Sequence, residues 1–205
     1  MTTTIVQLPG QRRPLDPPRP VQPAAPAAPA AATAPVVALL GPVRAWSSGC
    51  PLLPGPPRQQ ALLAMLALHA GQDVSVPELV DGLFGTETYD QDAGGWSADQ
   101  VHFHAGRVRD LFRGTAEVHS RGDGYLLDLA PTQVDALAFE RLVGDAAAFA
   151  PADPQYADAL LDRAFSLWRA TPLLGVPGPF AQWERARLHS LHRAATSLRN
   201  RLRQR

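Results

Sequence analysis

The sequence predicts an α+β unit followed by an all-α unit, with a Pro- and Ala-rich tail ahead of both. Three observations carry this. Residues 1–35 hold PAAPAAPAAA near their centre. Proline removes backbone donors and alanine offers little to bury, so this tail is expected to be disordered or polyproline-like. Between 36 and 130, short apolar runs broken by Gly and Pro alternate with helix-period stretches. From about 133 onward only helix-period patterns remain.

In chain order, Val36 to Leu53 is interrupted by Gly41, Pro42, Gly49 and Pro51, which suits short antiparallel strands. Pro56 and Pro57 stand where a helix to about Ala70 begins, since proline is tolerated in a first turn. Leu62, Leu63, Met65, Leu66 and Leu68 make that helix apolar over a broad face, and Gly71 is its expected C-cap. Ser75-Val76-Pro77-Glu78 has the S-x-x-E spacing of a capping box, opening a helix through Phe84 that stops at Gly85. Residues 86–96 form a polar link whose acidic Glu87, Asp90 and Asp92 are expected to be a solvated surface.

The stretch from Ser97 to Leu129 organises the first unit. Ser97 and Gln100 match an S-x-x-Q capping box. Val101, Ala105, Val108 and Phe112 recur at four- and three-residue steps and share one buried stripe, with Arg107, Arg109 and Arg113 on its flanks. After Gly114, Glu117–His119 and Tyr125–Leu129 read as two strands joined through the loop from Ser120 to Gly124. An arginine-flanked helix beside a hairpin tipped by Arg121 is a winged helix-turn-helix pattern.

Pro131 and Thr132 mark a junction. Asp135 is the expected cap of a helix carrying Phe139, Leu142, Val143, Ala146 and Phe149 on one side. Asp153-Pro154 opens another, with Leu160, Leu161, Ala164, Leu167 and Trp168 inward. TPLLGVPGP is a loop by its Pro and Gly content. A last helix from about Phe180 places Trp183, Leu188, Leu191, Ala195, Leu198 and Leu202 along one seam that needs a partner helix. Left exposed, residues 180–204 predict a homodimer, a helical protein partner or marginal stability.

Composition narrows the function classes. Formal net charge is zero and every basic residue is Arg. Cys50 is alone, which excludes a disulfide framework and a Cys-based zinc site. No apolar run reaches membrane-span length and the N-terminus lacks the order of a signal peptide, so a soluble cytoplasmic protein is expected. His102 and His104 point about 200° apart on a helix and cannot share a metal; His189 and His192 share a face without a third ligand nearby. No G-x-S-x-G, P-loop or G-x-G-x-x-G occurs, so neither enzyme activity, cofactor nor metal is expected. Between 36 and 130, six Arg stand against eleven acidic residues, a balance of −5. That opposes phosphate binding, although four of the six Arg lie on the helix and hairpin.

Several runs together resemble a known family. Leu39-Leu40-Gly41-Pro42-Val43 is followed by Pro57-Arg58-Gln59-Gln60-Ala61-Leu62-Leu63-Ala64, then His69-Ala70-Gly71, Val74-Ser75 and the run from Leu79 to Gly85. Arg107-Val108-Arg109, Gly124-Tyr125-Leu126-Leu127, and Val134-Asp135 with Phe139-Glu140 complete the match. On these residues, from about Val36 to the end, the chain resembles the N-terminal half of the SARP (antibiotic regulatory protein) family of transcriptional regulators.

The resemblance implies an OmpR-type winged-helix DNA-binding domain at 36–130. After it comes a helical, TPR-like bacterial transcriptional activation domain at 133–205, truncated relative to the family. It implies an activator that binds double-stranded DNA at direct repeats near promoters of secondary-metabolite genes and recruits RNA polymerase. On the helix, Gln100 is suited to adenine and Phe103 to a thymine methyl. His104 lies where relatives place a histidine beside DNA, and His102 and Arg113 lie on one flank. Arg107 and Arg109 match the family's arginine pair on phosphates, and Arg121 is placed for the minor groove. Relatives often carry basic side chains where Asp99, Gly106 and Asp110 stand here, which weakens the expected DNA affinity. The second reading is therefore a protein-interaction module that docks on or titrates a full-length regulator.

Overall fold

The first sheet is antiparallel, in the order β1 (Val37–Ala38), β2 (Arg44–Ser47), β3 (Cys50–Leu52). Its register pairs Val37 with Ala45 and Ala45 with Leu52, as the Gly- and Pro-broken runs predict. The computed structural model describes residues 36–84, 98–113 and 116–204. The expected disordered tail, the acidic link at 86–96 and the Ser97 cap lie outside them.

Helix α1 (Pro57–Leu68) starts with proline at its first position, and Ala61 through Ala67 are buried without a break. The helix ends at Leu68, and Gly71 serves differently from the C-cap expected of it. Its N–H donates to the Leu127 carbonyl at 3.0 Å, tying the chain to the second sheet. Strand β4 (Val74–Ser75) leads directly into α2 (Val76–Phe84). The capping box forms as its spacing predicts. The Ser75 N–H and hydroxyl each donate to Glu78 Oε2 at 2.9 Å, and the Glu78 N–H donates to Ser75 Oγ at 3.3 Å. Those bonds, the backbone one foremost, hold the Glu78 carboxyl below its ordinary pKa.

Helix α3 (Ala98–Leu111) is followed by β5 (Glu117–Arg121) and β6 (Gly124–Asp128), and the second sheet has the order β4-β6-β5. The hairpin loop is shorter than the sequence predicts. Arg121 pairs with Gly124, leaving two residues, Gly122 and Asp123, in the turn. Gly122 at φ 57° supplies the left-handed backbone that lets so tight a turn match strand twist.

The helical half begins after a 3-10 turn at Pro131–Gln133 and comprises α4 (Asp135–Phe149), α5 (Pro154–Ser166) and α6 (Pro179–Arg203). Asp153 caps α5 by accepting from the Tyr156 N–H at 2.9 Å. Asp135 does not cap α4; Val134 holds that position. Its carboxylate is buried and turned back onto the first sheet, accepting from the Leu39 N–H at 2.6 Å and the Leu40 N–H at 3.2 Å. The Arg169 guanidinium lies 3.9 Å away. Burial pushes the Asp135 carboxyl up to about 6 against the two backbone bonds and Arg169. Leu39, Leu40 and Gly41 in turn accept backbone bonds from Leu173, from Arg169 and Ala170, and from Leu174.

Two inward expectations fail. Phe149 is exposed and packs edge-on against Tyr156 at the α4–α5 turn, 5.1 Å between centroids. Trp183, at 77% exposure, projects from the outer side of α6. The seam of α6 is not left open either. Ala181, Leu188 and Ala195, at seven-residue steps, are fully buried within the chain, against α2 at one end and α4 and α5 further along. Arg187 bridges to Glu140 of α4 at 2.9 Å, and Arg203 to Asp158 of α5 at 3.3 Å. The partner the seam requires is thus supplied in cis. Among the described residues one apolar core runs from Val36 to Ala195.

The two halves meet most closely where α6 begins. Gly178 has φ 96°, and a Cβ there would lie 2.5 Å from the Leu83 carbonyl oxygen. Arg185 then secures the preceding loop by donating to the carbonyls of Leu173 and Val176.

Two stability outcomes follow. Gly178→Ala adds a side chain that both backbone and neighbour reject, and is expected to cost about 1–3 kcal/mol in denaturant unfolding. Asp135→Ala strands two buried N–H groups and is expected to cost about 2 kcal/mol or more at pH 7. Because the folded carboxyl titrates near 6 rather than 3.8, the proton-linked part of its contribution, additional to the cost at pH 7, is fully present below 3.8 and lost as pH rises through 6. The wild type should therefore gain about 3 kcal/mol on Asp135→Ala between pH 7 and pH 3.5. Equal pH profiles for the two proteins would show that Asp135 is not held this way.

Candidate nucleic-acid interface

Helix α3 buries the predicted stripe completely: Val101, Ala105, Val108 and Phe112 are all at 0% exposure. The opposite face is therefore unused by packing and carries Asp99, Phe103, Gly106, Arg107 and Asp110. A Cβ at Gly106 would meet no atom of the described residues within 4 Å.

The β5–β6 hairpin lies against one flank of α3, and two expected contact residues are what hold it there. Arg109 donates through Nε to the Val118 carbonyl at 2.9 Å. His102 Nδ1 lies 2.6 Å from the Tyr125 hydroxyl, with the two rings edge-on at 5.8 Å. Arg109 is thus tied to the backbone through its Nε–H while the residue itself stays exposed. On the same side Arg113 pairs with Asp110 at 2.8 Å, both largely exposed, so each offsets the other's charge.

The remaining candidates divide by exposure. Phe103 is 60% exposed and the Arg107 guanidinium sits over its ring, 5.4 Å from the centroid. Arg121 is exposed at the hairpin turn and has no ion pair among the described residues. Gln100 is half-buried, and its Oε1 is enclosed without a hydrogen bond among the described residues. A two-point contact to adenine requires that side chain to swing outward. His104 is half-buried; burial, and then the positive charge of Arg58, hold its pKa below the ordinary value.

Sequence reasoning missed Tyr125 and Arg58. Tyr125 reads as an ordinary strand residue because its partner is 23 positions away in the chain. Arg58 opens α1, where a cation is disfavoured by the helix dipole, and its field nonetheless reaches His104 on α3. No group of three or more His, Cys, Asp or Glu that could hold a metal occurs among the described residues. No described helix is long and apolar enough to cross a membrane.

Comparison with known proteins supplies the relatives. Residues 134–205 match the family model of the bacterial transcriptional activator domain. The regulatory protein AfsR of Streptomyces coelicolor is 39% identical over 158 residues, 73% of this chain and 15% of AfsR. The transcriptional regulator RedD of the same organism is 36% identical over 122 residues, 56% of this chain and 33% of RedD. The regulatory protein DnrI of Streptomyces peucetius is 32% identical over 152 residues, 68% of this chain and 54% of DnrI. The chain thus spans about half or less of the length of these curated relatives.

Among solved structures, Mycobacterium tuberculosis EmbR, determined with a low affinity phosphopeptide, superposes with a TM-score of 0.69. The sequences are 22% identical there, and the match covers 81% of this chain and 44% of EmbR. That likeness establishes the architecture of a winged helix joined to helices. Since the alignments with AfsR, RedD and DnrI are each longer than the activator domain, the similarity extends into the unit before it, and the chain belongs to the SARP family of regulators.

Proposed function

We propose that this chain is a sequence-specific, double-stranded-DNA-binding transcriptional regulator. It acts as an activator at direct repeats near promoters, in contact with RNA polymerase, and secondary-metabolite genes are the targets the family resemblance implies. The observation that supports it most is the outward face of α3 beside the hairpin. A helix that buries only one stripe presents the rest to a groove, and Arg121 at the turn of the adjoining hairpin reaches toward the next. A cytoplasmic location and the absence of enzymatic chemistry go with this reading.

The active cations are fewer than the sequence suggests. With Arg113 paired to Asp110, the charge left for phosphate is that of Arg107, Arg109 and Arg121, and Arg109 is held toward the hairpin by its Nε–H. The net −5 between 36 and 130 opposes them. Binding by a single copy is accordingly weak, and repeated half-sites raise it through effective concentration. The same charge balance favours the second reading, a protein-interaction module that has given up strong DNA binding and docks on a full-length regulator. The enclosed α6 seam removes one of that reading's supports.

Titration of a direct-repeat promoter duplex separates the two. The first reading predicts that log K falls linearly with log salt and that Arg107→Ala reduces the slope by about one. Arg113→Ala should change the slope less, because its charge is already offset. Binding that ignores salt, or a stoichiometric complex with a full-length regulator formed without DNA, would overturn the first reading in favour of the second.

A further inference from the structure

We infer that Tyr125 makes His102 a fixed hydrogen-bond donor toward a guanine in the major groove, so that this pair sets one position of sequence preference. The inference rests on the DNA-binding reading above and deepens it. It begins with the 2.6 Å separation between the Tyr125 hydroxyl and His102 Nδ1.

A neutral imidazole carries its single ring proton on one nitrogen, and the hydrogen bond made by one nitrogen decides the state of the other. A phenol hydroxyl is a good donor and an imidazole nitrogen a strong acceptor. The Tyr125 hydroxyl is attached to a ring that is 6% exposed, and His102 is its hydrogen-bond partner among the described residues. We assign the hydroxyl as donor to Nδ1, which places the proton of the ring on Nε2. Because Nδ1 faces the hairpin, Nε2 is on the far side of an exposed ring and directs its N–H away from the protein.

The geometry is held from several sides. Tyr125 lies in β6, between β4 and β5, paired with Val74 on one side and Ser120 on the other. The Arg109–Val118 bond fixes the same flank of α3 seven residues further on. The edge-on ring contact limits how far the imidazole can turn. A rigid donor at this place selects among base edges. Guanine offers two acceptors, N7 and O6, where adenine pairs N7 with a donor, thymine offers O4 alone beside its methyl group, and cytosine presents a donor. The ring thus favours guanine, and the orientation of His102 depends on a residue that never meets the DNA. Tyr125 is a positioning residue.

The test has two arms on the full chain. Long-range ¹H–¹⁵N spectra of the free protein report which ring nitrogen of His102 is protonated; the expected result is Nε2–H in the wild type and a mixture in Tyr125→Phe. Selection from a randomised duplex library carrying direct repeats is the second arm. Wild-type protein should enrich a guanine at one position of each repeat. His102→Ala should lower that preference about five-fold or more, and Tyr125→Phe should lower it in the same direction while leaving the salt slope unchanged. An Nδ1–H tautomer in the wild type, or a guanine preference retained by both variants, overturns the inference and leaves DNA binding intact. Failure of the wild type to enrich any sequence overturns the DNA reading itself, and this inference with it.

Discussion

A single buried carboxylate joins the two halves of this protein. Asp135 accepts from the N–H groups of Leu39 and Leu40 while its own helix begins the activator domain. Burying a charged group is unfavourable unless it is compensated, and the two backbone donors with Arg169 supply only part of that compensation, so burial still raises the carboxyl's pKa. The arrangement explains why the first sheet and the helices share one core. The outer edge of β1 is met by Gln133 and Val134, and the carbonyls of Leu39 to Gly41 just beyond it accept from residues 169–174. The same Arg169 lies over the Trp46 ring at 5.7 Å, extending the contact across the sheet.

Local chemistry was legible in the sequence wherever it is short-range. The Ser75–Glu78 box, the Asp153 cap and the four-residue stripe of α3 all depend on spacings within a turn or two, and each forms as read. Asp135 was misread because a carboxylate at a helix start is nearly always explained by the nearest amides. Its actual donors are more than ninety residues away. Periodicity misled differently at Phe149 and Trp183: it identifies which residues share a face, and it is silent on where the partner's surface ends. The α6 seam shows the same limit in reverse. Its pattern demanded a partner, and folding, which the pattern does not encode, supplied three elements of the same chain.

At the interface, counting charges proved less informative than placing them. Helical position groups Arg109 and Arg113 with Arg107, and the family's arginine pair adds to that for Arg109. One is engaged with a carbonyl and the other with an acidic neighbour. His102 followed the opposite course: treated as one of several flanking residues, it becomes the group whose orientation the hairpin dictates. Neither distinction can be made without knowing where β5 and β6 return against α3, which is a tertiary fact.

The bonds of Leu39 to Gly41 have a consequence for synthesis. These residues emerge from the ribosome early, yet the donors and acceptors that complete them arrive with Asp135 and the 169–174 loop. Before that loop is made, the backbone groups of Leu39 to Gly41 have only water to bond with. Completing this corner of the first unit is therefore a long-range event, coupled to helices that come much later in the chain.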